Sequence, residues 1–459
     1  MRNWMQRVTT RLRCKSCRAT RTRSTTGPAC CCTDWERWEE IPLMGHSEEA
    51  SWTMNGTNEH LLSGVRILDL TRALAGPTCT RMFAELGADV IKVEPAPDGD
   101  MVRGISKLRN ERSLYVIQQS LNKRSVCVNL RDPRGLSLVR ELVPHCDAVV
   151  ENFKPGVMAD MGLDFDALRT LREDIILCSI SALGQSGPLA TKPGYDYIAQ
   201  AYSGITSMIG DADEAPYIPL AGIGDVSTGV HAAFAIAAAL VHRARTGRGQ
   251  HLDIALLDCY YHCHEVNVHQ HTGSGGEIDP MRAGRHVSYI CPAGVFRVPG
   301  GDVVIMGFMH HWPDLCAAMG RQDLVNHPDY ATDADRLARR SEVVSLVEGW
   351  LAGFPDRDSA VSTLEAHGVP CAPVLSVAET VKHPHLRERG TVRTVNDRIA
   401  GSFEIPGMPI RTSDYPPHPG YSAPALGEHN ASVLGELLDY DADTIASLRA
   451  DGVLVERDV

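Results

Sequence analysis

Residues 64–94 (GVRILDLTRALAGPTCTRMFAELGADVIKVE) switch twice between apolar patterns. Val65, Ile67, Leu68 and Leu70 form a short apolar run ending at Asp69 and Thr71, which predicts a buried strand. Gly76 and Pro77 then make a turn that puts proline at the first helical position, where its missing N–H leaves nothing unsatisfied. Cys79, Met82, Phe83 and Leu86 recur at three and four residues, so a helix follows, and Gly87 ends it. Val90, Ile91 and Val93 return as a strand, completing a β-α-β unit. No GxGxxG follows the first strand, so the fingerprint of a nicotinamide or flavin site is absent.

The alternation continues to about residue 228. Residues 147–151 and 175–180 are short apolar runs with polar borders, the pattern of buried parallel strands, and helices are expected over 134–143 and over 165–171 behind an Asp164 cap. This predicts an α/β fold with a Rossmann-like parallel sheet, whose ligand crevice lies at the carboxyl ends of the strands. Residues 71–77, 152–156 and 181–187 then share one rim. An Ala-rich helix is expected over 226–243. After Gln250 the pattern changes to a helix over 252–268, a glycine loop over 273–276, and a hairpin pairing 295–298 with 303–306.

Composition narrows the chemistry. With 459 residues, 43% of them hydrophobic, the chain can bury a large core. A formal charge of -12 argues against nucleic acid as the main partner, and no apolar run is read as reaching membrane-spanning length, so no membrane partner is expected. Nine of the 14 cysteines are scattered singly from Cys79 to Cys371, as in reduced cytoplasmic or matrix proteins. Residues 1–33 carry seven Arg, one Lys and no acid, so residues 1–60 are expected to lie outside the fold. They read as disordered, and either as a mitochondrial targeting segment, which would put an otherwise cytoplasmic protein in the matrix, or as an over-extension upstream of a start near Met44 or Met54. Cys14, Cys17, Cys30, Cys31 and Cys32 lack the histidines or second CxxC of a standard zinc site, and no metal is expected.

Asp225, in the stretch GIGDVSTG, is expected at or just before the amino end of the Ala-rich helix, where the dipole and free N–H groups would keep its carboxylate ionised. From residue type alone, a helix cap is the leading reading. His262, Cys263 and His264 are adjacent, so on a helix they point in different directions and read as structural rather than metal-binding.

LDLTRALAGP, LGADVIKVE, NKRS (122–125), VENFKPG (150–156), GDVSTG (224–229), TGRGQ (246–250) and LGEH (426–429) occur in that order, and together they resemble the family III coenzyme A transferases, the CaiB/BaiF group. The resemblance runs from about Leu62 to the carboxyl end. It implies coenzyme A as co-substrate, an acyl-CoA donor, a carboxylic acid acceptor, and Asp225 as covalent nucleophile. It further implies that Leu74, Ala75, Pro95, Val128, Asn129, Leu130, Arg131, Asn152, Phe153, Lys154, Lys192, Pro193, Gly194 and Tyr195 line the CoA site, with Arg131, Lys154 and Lys192 as phosphate partners. The implied organisation has residues 61–228 as the first part of a large domain, 229–250 as helix and linker, 251–350 as a smaller α+β domain, and 351–459 as linker and return. Two chains would interlock as a homodimer, and residues 307–312 would approach the acyl group, although Trp312 before Pro313 reads equally as a helix entrance packed in a core.

Asp160, Pro95 and Leu74 stand where formyl-CoA transferases carry arginine, arginine and glutamine, and their glycine run is missing, which speaks against oxalate and formate. Related racemases place histidine where this chain has Tyr195. A phenol is a poor proton shuttle near neutrality, so a racemase-like isomerase is the second reading. A non-catalytic acyl-CoA binding protein is the third.

Overall fold

The structure, a computed structural model, describes residues 60–415 and 422–457. Residues 1–59, including the cysteines from Cys14 to Cys32, lie outside the described residues. Six strands, β1 (Arg66–Asp69), β2 (Asp89–Pro95), β3 (Lys123–Val128), β4 (Ala148–Glu151), β5 (Ile176–Ser181) and β6 (His251–Ala255), form one parallel sheet in the order β3-β2-β1-β4-β5-β6. Strand order reverses between β1 and β4, so the loops leaving those strands diverge and open a crevice.

Successive residues of a strand face opposite sides of the sheet. Leu68, Ile91, Val126, Val149 and Leu177 form one buried layer with Leu138 and Leu142 of the Pro133–Leu142 helix and with Val433 and Leu434 of the Asn430–Leu438 helix. Ile67, Val90, Val150 and Ile176 form the other layer, with Cys79 and Phe83 of the Ala75–Glu85 helix and Ile236 of the Ile223–Thr246 helix. Both faces are covered, which is why these strands are near-continuous apolar runs. The Asp164 carboxylate accepts from the Ala167 N–H at 2.8 Å and caps the Phe165–Leu171 helix as expected.

Four expectations are corrected. Residues 251–255 are not the start of a helix or of a smaller domain: β6 pairs with β5 and completes the parallel sheet, followed by short helices Leu256–His262 and Asn267–Gly273. The alternating polar positions of β6 obscured it. The separate core lies between Cys291 and Cys371, around antiparallel strands β7 (Ala293–Val298), β8 (Gly301–Met306) and β9 (Cys371–Pro373). Residues 371–373 therefore extend this smaller sheet instead of leading away from it. The helix carrying Asp225 starts at Ile223, three residues earlier than predicted.

That 24-residue helix is, by length and composition only, long and apolar enough to cross a membrane, contrary to the expectation that no apolar stretch reaches that length. One face packs on the Ala75–Glu85 helix and on β5 and β6. Trp312 begins the Trp312–Ala318 helix, is buried, and donates from Nε1 to the Leu324 carbonyl at 3.3 Å, so it belongs to the smaller core.

Candidate active site

The carboxyl ends of β1, β4 and β5 surround a cavity of about 490 Å3. Leu74, Ala75, Asn152, Phe153, Lys154, Lys192, Pro193, Gly194, Tyr195 and Asp225, far apart in sequence, all line it. The other five expected residues do not. Pro95 and Val128 pair at the ends of β2 and β3, the Asn129 N–H donates to the Val453 carbonyl at 2.8 Å, Leu130 packs on the core, and Arg131 is exposed. They continue the same carboxyl edge of the sheet beyond the cavity.

The rim is held by buried ionic chemistry. Asp69, at the end of β1, accepts from the Thr71 N–H at 2.9 Å, the Thr80 hydroxyl at 2.6 Å and the Lys123 ammonium at 3.0 Å. Burial alone would raise this carboxyl, but Lys123, Lys92 and the two threonine hydroxyls outweigh it and hold it at about 2. One loop further, Arg72 donates its N–H to Asn152 Oδ1 at 2.8 Å while Asn152 Nδ2 donates to the Arg72 carbonyl at 2.7 Å. The Arg72 guanidinium lies 4.8 Å from the centre of the Phe153 ring. Arg72 was not among the expected site residues, although a cation at the exit of β1 inside LTRALAGP was available as a signal.

Asp225 occupies the third position of its helix and makes no capping hydrogen bond, so it is not a cap; Gly222 holds that place. Its side chain is half-buried and lines the cavity. Burial first, and the Asp196 charge second, push its carboxyl up to about 7, against the expectation that the helix terminus would keep it firmly ionised. Asp196 is buried, accepts from the Asp225 N–H at 3.2 Å, and also accepts from the Tyr260 hydroxyl. That hydroxyl oxygen accepts in turn from the Gly224 N–H at 3.0 Å and from Gln200 Nε2 at 3.1 Å. A Cβ on Gly224 would collide with the Tyr260 ring, and one on Gly229 would sit 2.6 Å from the Ala75 carbonyl oxygen, so both glycines permit close approach. Tyr115 is also near: burial first, then Asp225 and Asp100, push its phenol up to about 12.

The sequence profile of CoA-transferase family III matches residues 62–430. The chain belongs to CoA-transferase family III. It is 34% identical over 401 residues to the succinyl-CoA:glutarate CoA-transferase of Mus musculus, covering 86% of this chain and 91% of that protein. It is 33% identical over 416 residues to a formyl-CoA:oxalate CoA-transferase of Rhodopseudomonas palustris, covering 86% and 97%. Its fold matches the crystal structure of a CAIB/BAIF family protein from Brucella suis with a TM-score of 0.74 and 32% identity, over 83% of this chain and 100% of that one.

This family III CoA-transferase is therefore an enzyme acting on CoA thioesters and carboxylic acids. Its cavity combines the two surfaces such a ligand needs: the exposed cations Arg72, Lys154 and Lys192, and apolar surface from Leu74, Ala75, Met101 and Leu256. Lys192 lies 5.7 Å from the Tyr202 ring and bonds its hydroxyl oxygen at 3.3 Å, which holds the ammonium near the mouth. Gly307, Phe308, His310, His311 and Trp312 are not among the described residues that line this cavity, and neither is any other histidine. His262 meets His231 edge-on at 5.8 Å, and His264 Nε2 lies 2.9 Å from the Ser203 carbonyl oxygen, both structural contacts.

Proposed function

We propose that this CoA-transferase exchanges CoA between two carboxylic acids through covalent intermediates on Asp225. An Asp225 oxygen attacks the thioester carbonyl, the C–S bond breaks, and CoA leaves as thiolate, giving a mixed anhydride. The thiolate then attacks the Asp225 carbonyl carbon, releasing the donor as carboxylate and leaving an aspartyl-CoA thioester. The acceptor carboxylate attacks that thioester, the thiolate is released again, and its attack on the acceptor's own carbonyl yields the new acyl-CoA and restores Asp225. Anhydride and thioester are both activated acyl groups, so the donor's energy is retained at every step.

One observation carries this reading: Asp225 is a half-buried carboxylate facing the same cavity as the three cations that suit CoA phosphates. Pro95, Val128, Asn129, Leu130 and Arg131 continue the CoA path along the sheet edge in this proposal. Incubation with acyl-CoA and no acceptor is expected to leave a hydroxylamine-sensitive adduct on the peptide containing residues 222–229. Its absence from wild-type protein, or its presence in Asp225→Asn, would remove the covalent assignment.

The working unit in this reading is a homodimer. Val226, Val230, Phe234 and Val241 are exposed on one side of the long helix, Phe234 at 74%, and a second copy would cover this apolar face. Sedimentation at micromolar concentration is expected to give a dimer, and a monomer would contradict it.

A further inference from the structure

Two carboxylates, Asp225 of the long helix and Asp196 of a neighbouring one, meet at the long helix's first turn. Asp196 is nine-tenths buried on the Asp196–Tyr202 helix, and its Oδ2 accepts the Asp225 N–H at 3.2 Å. Its Oδ1 accepts from Tyr260, whose oxygen is committed to the Gly224 N–H and to Gln200. Gln200 Oε1 in turn accepts from the Thr206 hydroxyl at 3.0 Å. Every hydrogen bond in this chain fixes Asp196 against the first turn of the Asp225 helix. Both carboxylate oxygens are occupied as acceptors, which a single amide oxygen could not match, and the same group brings a negative charge against the turn that carries Asp225.

We infer that Asp196 is a positioning residue for the transfer reaction: a fixed negative charge beneath Asp225 that favours the acylated, neutral form of that residue over its free carboxylate. The inference rests on the covalent reading of Asp225. When an Asp225 oxygen bonds the acyl carbon and the thiolate departs with the C–S electron pair, Asp225 loses its charge. The repulsion between the two aspartates then disappears, so the intermediate gains relative to the resting enzyme. The same repulsion makes the free carboxylate more basic and hence a better nucleophile, in keeping with the upward push that burial and Asp196 exert on it. Ordering of the first turn by the Asp225 N–H bond adds orientation to this electrostatic effect.

Other titratable groups on the surrounding elements do not supply this charge, and Arg72, Lys154 and Lys192, which line the same cavity as Asp225, are cations. Tyr195 precedes the Asp196 helix, Tyr115 comes from the Leu114–Gln119 helix, and Tyr260 and Cys259 come from the Leu256–His262 helix. Cys79 of the Ala75–Glu85 helix and Cys178 of β5 are buried thiols pushed upward by that burial, and Tyr115 and Tyr260 are pushed upward in the same way. His231 lies further along the same helix, with its Nδ1 2.8 Å from the Ser227 carbonyl oxygen. Asp196 is the carboxylate that acts on Asp225.

The test follows adduct formation on the full chain as a function of pH, using whichever of succinyl-CoA, acetyl-CoA or formyl-CoA labels the wild type best. Wild type is expected to lose labelling as pH falls through about 7. In Asp196→Asn and Asp196→Ser the acid limb is expected to move down by about one pH unit, with the equilibrium amount of adduct falling severalfold. A merely structural role would lower the plateau without moving the limb. The serine variant, small enough to admit a water, stands in if the asparagine variant does not fold. A limb within about 0.2 units of wild type in a folded neutral variant would overturn the inference while leaving the covalent reading intact. If wild type forms no adduct with any of the three thioesters, both fall together, and labelling of Asp225→Asn would point to a different nucleophile.

Discussion

Arg72 and Asn152 exchange two hydrogen bonds, at 2.8 and 2.7 Å, across the point where the strand order of the sheet reverses. The pair ties the loop leaving β1 to the loop leaving β4 and so sets the width of the cavity mouth. Asn152→Ala removes both bonds, at about 1 kcal/mol each. The expected result is a KM for acyl-CoA raised several-fold with a smaller change in kcat, because the pair shapes the binding edge rather than the reacting end. Steady-state kinetics check this split, and a pure kcat effect would show that the pair serves the chemistry instead.

Asp225→Asn is expected to abolish exchange and also to stabilise the fold in alkaline solution. The folded carboxyl lies at about 7, above its ordinary unfolded value of about 3.9. A group raised in this way contributes its stability below the unfolded value and loses it as pH climbs through the folded value. At pH 8 this difference of about three units weighs against folding by on the order of 4 kcal/mol, which asparagine relieves. Denaturant midpoints of the two proteins should diverge most near pH 8 and converge as pH falls toward 4. A variant no more stable than wild type at pH 8 would count against the burial argument.

Asp69 behaves in the opposite sense. Its folded value of about 2 lies below the unfolded one, so its stabilisation is present above about 4 and is lost as pH falls through 2. Asp69→Ala would leave the buried Lys123 ammonium without its carboxylate and release the bonds from Thr71 and Thr80. A loss of about 3 kcal/mol in chemical denaturation is expected, since breaking a buried pair strands the remaining charge. A loss below about 1 kcal/mol would show that Lys123 is satisfied by its carbonyl and hydroxyl contacts alone.

Gly224→Ala tests the geometry of the first helical turn. The added methyl would collide with the Tyr260 ring and come within 2.6 Å of Asp196 Oδ1, so the turn must shift. Displacement of a reacting group by about 1 Å can cost on the order of 100-fold in rate, and a fall of that size in kcat is expected with the protein still folded. Near wild-type kcat would mean that the network around Tyr260 yields without moving Asp225.

Much of the sheet was legible because its strands are buried on both faces, and burial writes itself into sequence as apolar runs such as those around Ile67 and Leu177. β6 was not legible: its exposed His251 and Asp253 break the run, and it is a strand only because β5 offers a paired edge. The start of the long helix was misplaced by three residues because Gly222, Ile223 and Gly224 look like a flexible approach. Close contacts with Leu74 and Tyr260 are what make those glycines helical-entry residues.

The residue types and their order along the chain determined the family, the parallel sheet, and the loops that converge at its carboxyl ends, since periodicity and motif order are local properties of sequence. The family resemblance that the motifs carry implied ten of the residues that line the cavity. Which carboxylates meet, and what each does to the other's proton, was decided only in three dimensions. Asp196 and Asp225 are separated by 28 residues and a helix boundary, and neither position carries a mark of the other. Burial and a shared hydrogen-bond network turn a residue type suited to capping a helix into a basic carboxylate facing a cavity. The physical reason is that charge and desolvation act through space, at distances set by packing that no linear pattern records.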